Sequence, residues 1–187
     1  MKIRMLLVAL LGLAFSSAAL AKEKAPYVGT WKLNLAKSKY DPGPMPKSAT
    51  DVNTEVNGAM TSVQEWVDAD GKANHVEWTA KFDGKDYPVK GGVAGTTISL
   101  TRPDPRDSRT VDWVWKVPGM PDVSGRTVYG KDGKSRTIED KSFDAAGKPT
   151  ARTRVYERQQ GPAALESPTV RRLVNRRRPA GADQGSL

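Results

Sequence analysis

The chain contains no cysteine and a single histidine, His75, among its 187 residues. The first absence excludes disulfides, thiol nucleophiles and every cysteine-ligated metal centre. The second excludes a multi-histidine metal site and leaves no spare imidazole for a histidine-based triad. Acidic residues are also short, 21 against 30 lysines and arginines, for a formal charge of +9. Apolar residues make up only 37% of the chain, and just one run of them is continuous.

That run is at the N-terminus. Lys2 and Arg4 precede apolar residues 5–15, then small residues and Ala19-Leu20-Ala21 before Lys22-Glu23-Lys24. A positive n-region, a short apolar stretch and an Ala-x-Ala site are the parts of a secretory signal peptide, here 1–21 with cleavage after Ala21. The stretch falls short of the roughly 20 apolar residues that a helix needs to cross a bilayer, so no membrane span is expected after cleavage. An exported domain without disulfides fits a bacterial periplasm or secretion by a bacterium. Residues 22–158 have the length of a single domain.

The other end is basic. Residues 159–187 carry Arg171, Arg172, Arg176, Arg177 and Arg178 against Glu166 and Asp183. Pro162, Pro168 and Pro179 interrupt the segment, which reads as a disordered tail. Its expected partner is an anionic envelope surface. Export, and the lack of aromatic residues among these arginines, argue against nucleic acid.

Between the ends the pattern is that of strands. Asn57-Gly58, Asp70-Gly71, Asp83-Gly84, Asp132-Gly133 and Ala146-Gly147 are turn signals, several of them about a dozen residues apart. Val76, Trp78, Ala80 and Phe82 alternate with His75, Glu77, Thr79 and Lys81; Val111, Trp113 and Trp115 share one face of the next clear strand. Period-two alternation belongs to antiparallel strands with one dry and one wet face. Prolines at 42, 44, 46, 103, 105, 118 and 121 mark loops, since proline lacks the donor that a central strand uses. The predicted fold is all-β: a single antiparallel meander barrel of about eight to ten strands.

Gly29-Thr30-Trp31 opens the first predicted strand, soon after the expected mature N-terminus. A Gly-x-Trp in that place resembles the start of lipocalins and of the wider calycin group of small barrels. The resemblance implies that Trp31 closes one end of the barrel beneath a basic side chain of the last strand. Arg152, Arg154 and Arg158 are available there, and Arg154 is assigned the role. Trp31-Lys32-Leu33-Asn34, Asp83-Gly84-Lys85-Asp86-Tyr87-Pro88-Val89 and Val155-Tyr156-Glu157 are also similar to segments of a group of uncharacterised exported bacterial proteins. The resemblance covers residues 27–158.

Chemical constellations are sparse. His75 and Glu77 lie on the apparent polar face of one strand, as a solvated pair rather than a proton-transfer couple. Asp68-Ala69-Asp70-Gly71 lacks the spaced oxygens and closing Glu of a calcium loop and reads as a hairpin. Asp104, Asp107, Glu139 and Asp140 are not placed across any cleft by the sequence. No catalytic set, cofactor or metal is expected, and the chain is not read as an enzyme. Two expectations remain. One is a small apolar or amphipathic ligand held inside the barrel by Trp78, Trp113 and Trp115, with Phe82 and Tyr87. The other is an envelope interaction module with a packed core, acting through its basic surface and tail.

Overall fold

The computed structural model describes residues 24–160 apart from 42 and 144–146. The predicted leader at 1–21 and the basic tail from 161 onward, with its five arginines, lie outside the described residues, as do Pro42 and Ala146.

Eleven strands follow one another: β1 (Gly29–Leu33), β2 (Lys39–Asp41), β3 (Ser48–Val56), β4 (Ala59–Val67), β5 (Ala73–Ala80), β6 (Tyr87–Lys90), β7 (Thr97–Thr101), β8 (Thr110–Lys116), β9 (Val123–Tyr129), β10 (Ser135–Phe143) and β11 (Pro149–Arg158). From β3 to β11 each strand pairs antiparallel with the next, and β1 pairs with both β3 and β11. Ten strands therefore close into the predicted all-β meander barrel. Closure leaves no free edge along the main wall, which removes the pairing hazard of an open sheet.

The first strand is broken in two. β1 runs along β11 with Trp31 opposite Arg158 and Leu33 opposite Tyr156. A 3₁₀ turn at Leu35–Lys37 then takes up extra residues, and β2 rejoins β11 with Tyr40 opposite Arg152. Three side-chain bonds shape the break. Lys37 N–H donates to Asn34 Oδ1, Ser38 Oγ–H donates to the Asn34 carbonyl, and Val155 N–H donates to Ser38 Oγ. Residues 38–41, which look like loop in the sequence, are thus held to the wall by the partner strand rather than by their own pattern.

Inward and outward faces follow the alternation. On β5, Val76, Trp78 and Ala80 are buried while His75 and Glu77 face outward beside Glu65. On β8, Val111, Trp113 and Trp115 face inward. Cross-strand pairs cover the outer wall: Arg126 with Asp112, Lys116 with Asp86, and the Thr61 and Thr79 hydroxyls 2.9 Å apart. Exposed pairs of this kind contribute about 0–1 kcal/mol each, so the fold is held from inside.

The two ends differ. One end gathers the N-terminal residues and the connections at 57–58, 81–86, 102–109 and 130–134. The other gathers the Pro-rich loop 43–47 and the connections at 68–72, 91–96 and 117–122.

Candidate functional site

The first end is a floor. Trp31 is fully buried and donates its indole N–H to the Tyr27 carbonyl at 3.0 Å. Its ring packs 5.5 Å from Tyr129, and the Arg158 guanidinium lies over it at 4.3 Å. Arg158 also donates to the carbonyls of Val28, Gly133 and Pro26. Gly29 explains the first residue of the Gly-x-Trp motif. Its φ is +146°, and a Cβ there would run into the Arg158 guanidinium, with Cζ at 3.3 Å. Burial pulls the Arg158 pKa below its usual range. The side chain over Trp31 is therefore Arg158 and not Arg154, which sits higher in the barrel.

Phe82 belongs to the same floor. It packs 5.5 Å from Tyr27 beneath Arg102, whose guanidinium is 4.0 Å from its centroid. Tyr27 donates its hydroxyl to Glu55 at 3.1 Å, and burial together with that bond pushes its pKa up to about 12. Tyr87 packs against the core and donates its hydroxyl to Asp83 at 3.0 Å. Neither Phe82 nor Tyr87 reaches the cavity, a correction to the predicted ligand set.

Above the floor lies a buried ion pair. Arg136 of β10 donates to Asp51 of β3, and both side chains are almost wholly enclosed. The guanidinium is 4.3 Å from the Tyr156 ring and 5.3 Å from the Trp31 ring. It spends an enclosed positive charge on one carboxylate and two aromatic faces.

From this pair to the second end runs a cavity of about 580 Å³. That volume is within the range of small-molecule pockets, roughly 300–1,000 Å³. One wall is apolar: Trp78, Ile98, Leu100, Val111, Trp113 and Trp115. Trp78 is buried, but Trp113 and Trp115 keep part of their surface accessible although they face inward. Trp66, opposite Ala49 and Asn74 in the ladder, also points inward, and it borders the mouth with Pro44 and Pro46.

Gly125 of β9 makes the room. It stands directly opposite Trp113, and a Cβ there would meet the indole, Cε2 at 2.6 Å, and the Glu139 carbonyl at 2.8 Å. The ring can lie flat on β9 only because this position has no side chain. We expect Gly125→Ala to cost about 1–3 kcal/mol in chemical denaturation, as overpacking does. It should also shift the tryptophan emission of the folded protein, because Trp113 is driven into the lumen.

The opposite wall is polar and rich in donors. Asp140 is fully buried between two arginines. Its Oδ2 accepts from Arg152 Nε at 2.6 Å, and its Oδ1 accepts from Arg154 Nη2 at 2.8 Å. The ladder places Trp113, Gly125, Asp140, Arg152 and Tyr40 in one row across neighbouring strands. Burial raises the pKa of Tyr40, Tyr129 and Tyr156, so their hydroxyls stay protonated at neutral pH. Trp78 Nε1 and Arg136 Nε have no hydrogen-bond partner, although both are buried and both residues line the cavity. A buried donor left unpaired costs about 1–3 kcal/mol.

The remaining candidates lie on the outer wall, in the loops or at the mouth. His75 Nε2 is 3.1 Å from Glu77, and Nδ1 is 3.6 Å from Glu65, on the outer wall. Asp68 forms a hairpin by accepting from the Lys72 N–H at 2.9 Å. Asp104 and Asp107 bind their own loop through the Arg106 and Arg109 N–H groups. Among the described residues no group of three or more His, Asp or Glu is placed to hold a metal ion.

No protein-family model matches the chain, and no curated protein matches it in sequence. Several solved structures are similar to it, among them Rv2717c and Ex-FABP. Rv2717c from M. tuberculosis has 14% sequence identity and a TM-score of 0.44, over 73% of this chain and 94% of that one. Ex-FABP, a siderocalin described as functioning through dual ligand specificities, has 12% identity and a TM-score of 0.34, over 81% of this chain and 87% of that one. By its own topology, ten antiparallel strands in chain order closed first to last, the domain is a lipocalin-like barrel.

Proposed function

We propose that this is an exported, non-enzymatic binding protein that carries a small amphipathic molecule in the lumen of its barrel. The observation that carries this reading is the pair of partly accessible tryptophans, Trp113 and Trp115, facing a cavity of about 580 Å³ that is open at one end. Apolar surface brought against them gains about 25 cal/mol per Å², so covering roughly 500 Å² returns about 12 kcal/mol, which meets the roughly 8 kcal/mol of micromolar binding and an association cost of about 4 kcal/mol. Binding, rather than catalysis, is supported by how the polar groups are used. The lone histidine is on the outer wall, and both carboxylates in the barrel's charged wall, Asp51 and Asp140, are committed to arginines. Export rests on the leader at 1–21.

Native mass spectrometry of the protein purified gently from the periplasm of its own cells tests the reading. The expected result is a retained mass that is lost on denaturation, together with a change in tryptophan fluorescence as it leaves. The same spectra should give a polypeptide mass beginning at Lys22. A bare mass, and no fluorescence response to a panel of fatty acids, alcohols and lipids, would overturn the carrier reading.

A further inference from the structure

We propose that the lumen selects molecules with one oxyanion group, seated on Arg152 and Arg154 beside Tyr40, and an apolar body laid on Trp113 and Trp115. This rests on reading the lumen as a ligand site and names the chemistry of what enters it.

Charge is the first argument. The enclosed polar wall holds Arg136, Arg152 and Arg154 against Asp51 and Asp140, so one positive charge is left over. Asp51 is occupied by Arg136, and Asp140 is shared by the other two guanidiniums. The other carboxylates bordering the cavity, Asp68 and Asp70, stand on the hairpin at the mouth. Asp68 is bonded there to Lys72 N–H and Asn74, and the Lys47 ammonium lies beside Gly71. They do not reach the inner wall. An oxyanion added between Arg152 and Arg154 makes that wall neutral. A cation placed there would be buried against three guanidiniums.

Donor count is the second argument. A guanidinium has five N–H donors, and the Asp140 bonds use only part of the set on each arginine. Arg152 and Arg154 each keep some exposure, 31% and 22%, and both line the cavity. Tyr40 is a protonated donor opposite Arg152 in the ladder. The carboxylates of this wall are therefore consumed while its guanidinium donors are in surplus, which is the complement of a carboxylate or a phosphate.

Geometry is the third. Trp113 and Arg152 occupy the same ladder row three strands apart, and Gly125 between them carries no side chain. With strands about 4.8 Å apart, the span along the wall is on the order of 14 Å. A head group on β11 thus has its apolar body directed across β9 onto the indoles.

The test is a tryptophan-quenching titration of the purified protein with four twelve-carbon probes: dodecanoate, dodecyl phosphate, dodecan-1-ol and dodecylamine. The expected order is at least one of the anions tenfold or more tighter than the alcohol, with the amine weakest. Which anion binds tighter separates a carboxylate ligand from a phosphate one. Arg152→Gln leaves Asp140 paired with Arg154 and makes the wall neutral, so the anions should lose their tenfold advantage over the alcohol. Asp140→Asn has the opposite sign and should strengthen anion binding. Arg152→Lys keeps the charge and should keep most of the preference. If neither anion binds more tightly than the alcohol in the unmodified protein, the head-group assignment is overturned but the carrier reading stands. If none of the four quenches, the carrier reading itself is overturned. The unmodified protein decides both questions even where a variant fails to fold.

Discussion

Asp51→Ala is expected to destabilise the barrel by about 3–5 kcal/mol, because it strands a buried guanidinium. Asp51 and Arg136 are 7% and 3% exposed at the side chain, and each is the other's ionic partner. Besides Asp51, Arg136 has only uncharged compensation: a hydrogen bond with the Tyr129 hydroxyl, and the Tyr156 and Trp31 rings at 4.3 and 5.3 Å. Ionisation of the arginine persists, since its pKa lies above the usual value even though burial opposes the charge. The loss arises from breaking the pair rather than from any large net gain in forming it. Replacing both partners together, Asp51→Leu with Arg136→Met, should therefore recover most of the stability, as buried ion pairs replaced by apolar residues commonly do. A denaturation series on the two single variants and the double variant measures the coupling directly. A cost under about 1 kcal/mol for Asp51→Ala would show that water reaches Arg136 in the folded protein.

The apolar half of the site is legible in the sequence because its strands obey one rule. Trp78 on β5 sits between Glu77 and Thr79, and Trp113 and Trp115 on β8 share parity with Val111 against Asp112 and Lys116, with Val114 the one apolar exception, so their facing can be read directly. Phe82 has the right parity but the wrong height. It lies just past the end of β5, and height depends on strand tilt and ladder register, which alternation does not encode. The polar half is hidden for the opposite reason. On β10 and β11 the inward positions include Arg136, Ile138, Asp140, Ser142, Arg152, Arg154 and Tyr156, so the inner face is as polar as an outer one and the rule loses its contrast. One signal was available. Arg152, Arg154, Tyr156 and Arg158 share parity, so placing any basic residue of this strand over Trp31 places all four inside. Which of them covers the indole is fixed by the closing register, Trp31 opposite Arg158, and that depends on the 3₁₀ break after β1. Gly125 was equally quiet: it weakens the strand pattern of β9, while its structural value lies in the ring that covers it.

Trp31→Ala should cost a comparable amount, about 3–5 kcal/mol, and should open the seam of the barrel before the rest. The indole is 0% exposed, and it joins elements that have little else in common. It is the face on which Arg158 lies, a neighbour of Tyr129 and Arg136, and the donor to the Tyr27 carbonyl. The seam it covers is short, since β1 meets β11 through only Trp31, Lys32 and Leu33. By contrast, β3 and β4 are in register over their full nine residues. Hydrogen exchange is the measurement that sees this difference. In the alanine variant, amides of β1 and of residues 156–158 should lose protection well below the denaturant midpoint, while β4 and β5 keep theirs. Trp31→Phe keeps an aromatic face for Arg158 and should lose much less, apart from the bond to Tyr27. Uniform loss of protection around the barrel would mean that the ladder, and not the indole, holds the closure. Because Arg136 touches both Asp51 and Trp31, the two alanine substitutions share a partner. Their combined cost should depart from the sum of the separate ones, which ties the floor and the charged wall above it into one cooperative unit.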